Sequence, residues 1–312
     1  MAENFNRRQM LKTTAIAVGA AVLSGPAAAA NIKVDKRNTG FVYSLNMSTI
    51  RGQNLGFIKE LEVAAKAGFT SVEIWLDTLQ AYLQSGGSLA DAKKIIDGLG
   101  LKVENAIGFA QWIVDDDATR QKALGQLQNE MDMLAKLNCH RIAAPPAGAT
   151  KLPLISLDTI AERYSTILKM GKQSGVVPQL EMWGGSVNLK QISHVLYVAA
   201  ACGDADARIL LDVFHVYKGQ SPVDGLAFVG DGALEIFHVN DYPAGISPEK
   251  ISEPDRVYPG DGIAPIKQIL KLAKHPDKPL IISCEVFNKG YYAQDALVVA
   301  KTALAKMKAI TA

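Results

Sequence analysis

Short apolar runs alternate along residues 40–312 with longer stretches whose apolar residues recur at helical spacing. The eight runs predicted as strands are residues 41–45, 71–76, 102–107, 141–144, 177–182, 208–213, 235–240 and 279–286. The predicted helices include residues 56–67, 118–137, 157–174, 189–202, 263–273 and 293–308. Eight strands that alternate with helices predict a single-domain α/β protein, a (β/α)8 TIM barrel. The alternative is an open, doubly wound sheet, but residues 41–50 have none of the glycines of its first turn.

The first 30 residues have the pattern of an export signal. Arg7 and Arg8 precede an apolar run over residues 13–25, and the small residues 27–30 suit a signal peptidase. A stable membrane span needs about 20 apolar residues, so this run is too short, and an uncleaved anchor is the weaker alternative. We therefore expect export by the twin-arginine translocase, a periplasmic location, and a mature barrel over residues 31–312.

The charge balance argues against nucleic acid as a partner. The chain has 33 Lys and Arg against 31 Asp and Glu, and removal of residues 1–30 leaves 30 of each. A neutral domain has no bulk electrostatic attraction to nucleic acid or to anionic lipid. The sequence indicates no particular oligomeric state.

Four consecutive predicted strands, the fifth to the eighth, end in residues that commonly bind metals: Glu181, Asp212, His238 and Glu285. The C-terminal strand ends of a barrel face its active site, so we expect these side chains to converge. Three carboxylates and one imidazole are a donor set that suits Mn²⁺, Mg²⁺, Co²⁺ or Zn²⁺. The set argues against a site built from cysteine thiolates. The alternative is that each carboxylate is buried in its own salt bridge. One shared metal ion would offset the burial of all of them together.

The motifs around these residues occur in a characteristic order: Leu180-Glu181, Leu211-Asp212-Val-Phe-His215, His238-Val-Asn-Asp241, Arg256-Val-Tyr-Pro-Gly260-Asp-Gly262 and Cys284-Glu285. With them the chain resembles the sugar phosphate isomerase/epimerase (xylose isomerase-like) superfamily. The resemblance implies one divalent metal ion, Mn²⁺ first among the candidates, held by Glu181, Asp212, His238 and Glu285. It also implies that His215 and Arg256 contact the substrate.

The expected reaction is proton abstraction next to the carbonyl of an unphosphorylated sugar or keto-sugar, through an enediolate stabilised by the metal. Glu181 and Glu285 would be the catalytic acid and base of an isomerase or epimerase. A lyase or hydrolase of keto-sugar glycosides could use the same site. An apurinic-endonuclease-like hydrolase is less favoured, because His140 is the only histidine between residues 41 and 175. A sugar-binding protein without catalysis is the last alternative.

Other residues have two open interpretations. Glu73, Trp75, Glu104 and Asn105, on the second and third strands, either reach the substrate or belong to a buried network. Phe109, Trp112 and Trp183 either form an apolar wall against a sugar or pack within loops. His194 is predicted to be structural, and His275 to be solvated in a turn.

Overall fold

The computed structural model describes residues 40–230, 232–275 and 277–312. The expected export signal lies outside the described residues, so it stays a prediction. None of the helices within the described ranges is long and apolar enough to cross a membrane.

Eight parallel strands form the centre of the fold. They are β1 (Phe41–Asn46), β2 (Ser71–Trp75), β3 (Lys102–Ile107), β4 (Arg141–Ala144), β5 (Val177–Glu181), β6 (Arg208–Asp212), β7 (Leu234–Val239) and β8 (Leu280–Cys284). Their hydrogen-bonded order is β3-β2-β1-β8-β7-β6-β5-β4. At the two ends of this order, Nη1 of Arg141 on β4 donates to the main-chain oxygen of Glu104 on β3 at 3.2 Å. The sheet is therefore a nearly closed barrel, which confirms the predicted fold.

The helices are α1 (Phe57–Ala67), α2 (Leu76–Gln84), α3 (Leu89–Gly98), α4 (Asp117–Lys136), α5 (Leu157–Ser174), α6 (Ile192–Ala201), α7 (Val213–Lys218), α8 (Ile266–Ala273), α9 (Lys289–Tyr292) and α10 (Ala296–Thr311). Short 3-10 helices span Met47–Gln53, Val223–Phe228 and Glu253–Asp255. The sequence prediction missed α2 and α3 between β2 and β3. It also began α10 three residues too early, because Asp295 caps that helix by accepting from the Leu297 and Val298 N–H groups.

Two apolar regions hold the barrel together. The main core lies between the strands and the helices, and a separate small cluster consists of Ile107, Ala143, Leu210, Ile236 and Ile281. Since successive strand residues point to opposite faces, this second cluster fills the barrel interior.

An ion-pair network lies near the N-terminal ends of the strands. Glu104 pairs there with Lys102 at 2.9 Å and with Arg141 at 3.2 Å, and Arg141 and Arg208 both pair with Glu235. Glu104 therefore belongs to a structural network at the rim opposite the expected site. Of its two interpretations, the buried network residue is correct and the substrate contact is not.

Candidate active site

Asp212, His238 and Glu285 converge at the C-terminal end of the barrel. Asp212 ends β6 and lies in register with His238 on β7, while Glu285 directly follows β8. One ligand atom from each of the three lies within 4.8 Å of the others. Nδ1 of His238 lies 3.2 Å from Oε2 of Glu285 and 3.8 Å from Oδ2 of Asp212. Among the described residues this is the one such group of His, Cys, Asp and Glu, so no second metal cluster is indicated there.

The orientation of His238 suits metal binding. Its Nε2 atom lies 3.0 Å from Oε2 of Glu73, whose other oxygen accepts from Asn105 at 2.8 Å. This leaves Nδ1 directed at the carboxylates of Asp212 and Glu285, buried and without a hydrogen-bond partner. In metal sites, a histidine ligand usually donates its other ring N–H to a carboxylate, which fixes the orientation of the ring. Glu73 is therefore a buried network residue and not a substrate contact.

The charges of the group also fit a divalent cation. Burial alone would raise the pKa of Asp212, but Arg256, His215 and His238 outweigh it and lower the pKa to about 2. Burial alone would lower the pKa of His238, yet Glu285 and Glu73 hold it well above its ordinary value. The buried carboxylates thus attract positive charge to this point. Two carboxylates and one imidazole are donors that hard or borderline divalent ions accept.

Glu181, the last residue of β5, lies on the wall of the adjoining cavity but outside the group of three. Burial raises its pKa to about 8, and the nearby Glu285 and Asp212 act in the same direction. Three of the four expected ligands are therefore brought together. The role of Glu181 as the fourth ligand stays a prediction.

Arg256 is engaged with the same carboxylates. Its Nη1 donates to Oδ2 of Asp212 at 2.8 Å and to Oε2 of Glu285 at 2.9 Å. Its Nη2 pairs with Glu253 and lies 3.4 Å from Nε2 of His215. The guanidinium also lies over the ring of Phe214, 4.3 Å from its centroid. Arg256, which was predicted to bind substrate, therefore lies at the site, where the carboxylates of Asp212, Glu253 and Glu285 offset its charge.

His215 owes its position to the first turn of α7. Asp212 caps this helix, and its Oδ1 accepts from the His215 N–H at 3.1 Å, which explains the three-residue spacing of the motif. Burial lowers the pKa of His215 to about 4, so the imidazole is neutral at pH 7. Its Nδ1 has no hydrogen-bond partner in the protein. A neutral imidazole on the cavity wall can exchange hydrogen bonds with a hydroxyl group.

Asp241 organises the loop that carries Arg256. Its carboxylate accepts from the N–H groups of Tyr242, Gly260 and Ala264 at 2.8–3.0 Å. A Cβ atom at Gly262 would lie 2.1 Å from the main-chain oxygen of Tyr242, so only glycine fits there. The Asp and Gly positions of the motifs are therefore structural, and they fold the loop onto the end of β7.

A cavity of about 280 Å³ opens beside these groups. Four aromatic side chains line it: Trp75, Phe109, Trp183 and Phe287. Neighbouring rings lie 5.4–6.2 Å apart, so they form one apolar wall, here called the aromatic wall. This size is close to the lower end of the roughly 300–1,000 Å³ usual for small-molecule sites.

The structure decides one of the open interpretations, that of Trp112, and corrects one prediction, that of His275. Trp112 is not part of the wall, because it is buried against Tyr164 and donates to the main-chain oxygen of Pro145 at 2.9 Å. His275 is not solvated, since it is only 7% exposed. The sequence reasoning also missed Asn46, Asn240, Glu253 and Phe287. Asn46 ends the first strand with a polar residue, the same signal that marked the later strands.

Comparison with known proteins shows the family to which the chain belongs. A family model described as xylose isomerase-like TIM barrel matches residues 61–310. An inosose isomerase of Halalkalibacterium halodurans is 25% identical over 260 residues, 80% of this chain and 90% of that protein. An inosose isomerase of Bacillus velezensis is 23% identical over 273 residues, 84% of this chain and 94% of that protein.

Solved structures share the fold. The IOLI protein with a binding zinc atom has a TM-score of 0.81 at 19% identity, covering 87% of this chain and 98% of that one. D-psicose 3-epimerase in the presence of D-fructose has a TM-score of 0.71 at 17% identity, covering 87% of this chain and 99% of that one. Since the family model spans most of the sequence, the chain belongs to the xylose isomerase-like TIM barrel family.

Proposed function

We propose that the protein is a divalent-metal-dependent isomerase or epimerase that moves a proton next to the carbonyl of an unphosphorylated sugar or keto-sugar. The observation on which the proposal rests is that Glu181 and Glu285 share one cavity beside Asp212 and His238. The inosose isomerases support this reaction class, since their similarity extends over most of both chains.

Asp212, His238 and Glu285 would hold the ion, with Glu181 as the expected fourth ligand. When bound, a divalent ion polarises a carbonyl oxygen and stabilises negative charge that develops beside it. We favour Mn²⁺ because most of the donors are carboxylate oxygens, and elemental analysis of protein purified without chelator decides among the candidates.

Glu181 and Glu285 would move the proton. Glu181 ends β5 and Glu285 follows β8, and these strands are separated by two others, so we place the two carboxyl groups on different sides of the substrate. In an epimerase, one group removes the proton and the other returns one to the opposite face of the carbon. In an isomerase, one group carries the proton between neighbouring carbons. Burial raises the pKa of Glu181 to about 8, so its carboxyl group can both hold and release a proton near neutral pH.

The cavity favours a neutral substrate with an apolar face. The C–H face of a sugar can pack on the aromatic wall, while His215 and Arg256 would bind its oxygens. Among the described residues, the charged side chains that line the cavity are Glu181, Glu253, Glu285 and Arg256, and none is a lysine. A phosphate group would therefore meet more carboxylates than cations, which supports an unphosphorylated substrate.

The test follows the proton directly. Free ketoses, inososes and 3-keto sugars are incubated with the Mn²⁺-loaded enzyme in heavy water, and deuterium at the carbon next to the carbonyl is measured by NMR. We expect incorporation by the unmodified protein and a loss of roughly 10²-fold or more in Glu181→Gln and Glu285→Gln. Glu130→Gln is the matched control, because Glu130 is buried on α4, is not among the residues that line the cavity, and is bonded to Gln126. Full exchange in both active-site variants would remove the two glutamates from the mechanism.

A second candidate, cleavage of a keto-sugar glycoside, is favoured by the four rings of the aromatic wall, which offer an aglycone an apolar surface. Assay of released aglycone from 3-keto-glycosides separates it from isomerisation, which releases none.

Export is a separate proposal that rests on the sequence of residues 1–30. Replacement of Arg7 and Arg8 by lysine should leave the precursor in the cytoplasm. Periplasmic accumulation of that double variant, measured by fractionation, would contradict export by the twin-arginine translocase.

A further inference from the structure

Asn46 lies between the metal-type ligands and the aromatic wall. It is the last residue of β1, it is fully buried, and it lies in register with Glu73 on β2. On the other side of β1, Leu45 pairs with Cys284 on β8, so Glu285 comes directly after the paired residues. The parallel register of three neighbouring strands therefore brings one amide side chain between two carboxylates.

The amide of Asn46 makes four hydrogen bonds. Its Oδ1 accepts from Nε1 of Trp75 at 2.9 Å and from the Ser48 N–H at 3.0 Å. Its Nδ2 donates to Oε2 of Glu73 and to Oε1 of Glu285, both at 3.1 Å. These bonds use both donors and both acceptor positions of the group. A flipped amide would turn its oxygen toward two carboxylates and its NH₂ toward two N–H donors, so the orientation is determined by its neighbours.

Each contact fixes a different part of the site. Oε1 of Glu285 is held by Asn46, while Oε2 accepts from Arg256 and faces Nδ1 of His238. Glu73 is the carboxylate that orients His238. Trp75 belongs to the aromatic wall.

We infer that Asn46 is a positioning residue for catalysis. It sets the carboxylate plane of Glu285 relative to His238 and to the aromatic wall, without itself touching the substrate. The inference rests on the proposed function, since it concerns the glutamate that moves the proton. It adds an asparagine on β1 to a site whose expected metal ligands come from the ends of β5 to β8.

The test compares two buried amides. Asn46→Ser removes the bonds to both carboxylates and to Trp75. Asn188→Ser is the matched control, because Asn188 is also buried but its amide bonds only to backbone atoms, of Ile155, Ala149 and Pro153. The Kd for Mn²⁺ and for Zn²⁺ is measured by calorimetry, and kcat and KM by the proton-exchange assay at saturating metal. Melting temperatures show whether the two variants lose a comparable amount of stability.

For Asn46→Ser we expect a metal Kd raised about 10-fold to 100-fold, the usual effect of removing an outer-shell partner. We also expect a fall in kcat of similar size, with KM changed less than about threefold, because the residue acts through Glu285 and not on bound substrate. Asn188→Ser should lose comparable stability while keeping its metal affinity.

A second variant covers the case in which Asn46→Ser does not fold. Asn46→Asp keeps the shape of the side chain and its acceptor bonds to Trp75 and Ser48, but loses both donors to the carboxylates. Because the added carboxyl group faces Glu73 and Glu285, it should take up a proton and stay neutral in the folded protein, and the variant should show at least the same loss of kcat. A kcat close to that of the unmodified protein in either folded variant would overturn the inference, as would an equal loss of metal affinity in Asn188→Ser. If the unmodified protein binds no divalent metal, the proposed function fails and this inference fails with it.

Discussion

Nη1 of Arg256 donates to Oδ2 of Asp212 across 2.8 Å, and both side chains are 1% exposed. The same oxygen faces Nδ1 of His238, so the guanidinium lies at the atom expected to bind a divalent ion. An arginine and a metal ion cannot both approach one carboxylate oxygen closely without strong repulsion. We therefore expect metal binding to displace Arg256 from Asp212, which would free its Nη1 for a substrate oxygen.

The first prediction concerns this competition. Arg256→Met should bind Mn²⁺ more tightly than the unmodified protein, because no side chain then has to be displaced. Breaking a buried ion pair costs about 3–5 kcal/mol, so we expect the metal-free variant to be less stable and its metal affinity to rise roughly 10-fold or more. Calorimetric Kd values and melting temperatures with and without metal provide the measurement.

Charge removal alone also strengthens cation binding, so the comparison needs a control. Arg51→Met removes a cation that lies over the Trp75 ring and pairs with Asp77 at the rim, without contact to the ligand carboxylates. It should change the metal Kd by less than about threefold, since exposed charges are screened. A weaker or unchanged metal affinity in Arg256→Met would show that the arginine does not compete with the ion.

The second prediction concerns metal removal. Asp212, His238 and Glu285 come from the ends of three adjacent strands, so one ion bound by them would join β6, β7 and β8. An ion present at 100 times its Kd stabilises the folded protein by about 2.7 kcal/mol. A chelator should therefore lower the melting temperature by several degrees, and Mn²⁺ should restore it. Asp212→Asn should respond to neither treatment, and a normal response in that variant would exclude Asp212 as a ligand.

Much of the barrel could be predicted because each strand is a short apolar run between turns, and the runs are closely spaced along the chain. The site could be predicted in part because Glu181, Asp212, His238 and Glu285 interrupt those runs with polar groups at their ends. Such interruptions are unfavourable in a buried strand unless a partner offsets them.

The remaining features depend on three-dimensional contacts. Helix α2 begins at Leu76, directly after β2, so no turn residue separates the two patterns. The polar strand end marks Asn46 as a candidate, but its role could not be assigned, because its partners Glu73 and Glu285 are set by strand register and lie 27 and 239 positions away. Trp112 and Phe109 are both aromatic residues in one loop, and the sequence does not distinguish them. Only Trp112 is buried, with its indole N–H donating to the main-chain oxygen of Pro145.

The third prediction tests the loop that carries Arg256. Asp241→Asn replaces a carboxylate that accepts three backbone N–H groups by an amide whose NH₂ must face one of these donors. An unsatisfied buried donor costs about 1–3 kcal/mol, so the variant should lose stability of that order, and the loop should hold Arg256 less firmly. We expect KM to rise and the free energy of unfolding from urea titration to fall.

Asp261→Asn is the matched control for this loop, because Asp261 lies in the same segment but is partly exposed and pairs with Lys306. Exposed pairs contribute about 0–1 kcal/mol, so its stability and KM should change little. Equal effects in the two variants would contradict the assignment of Asp241 as the residue that fixes the loop.

The fourth prediction is a pH dependence of stability that arises outside the active site. Glu60 on α1 is 4% exposed, and burial raises its pKa to about 7, with Asp77 adding to the shift and Arg51 opposing it. The folded-state pKa is therefore above the unfolded value of about 4.3. Between these two values the unfolded chain has released its proton while the folded chain keeps it, so stability falls as pH rises. Below about pH 4 the contribution of Glu60 is fully present, and above about pH 8 it is lost.

Glu60→Gln should remove this dependence, since the amide resembles the protonated acid and does not titrate. A shift of this size corresponds to about 3 kcal/mol between pH 4 and pH 8, so the variant should match the unmodified protein at pH 4 and exceed its stability at pH 8. Urea titrations across this range give the difference between the two proteins, in which the titration of all other groups cancels. Glu62→Gln is the control, because Glu62 lies on the same helix with its side chain exposed, and its replacement should change the stability little. A stability difference for Glu60→Gln that is constant from pH 4 to pH 8 would mean that Glu60 titrates alike in the folded and unfolded states.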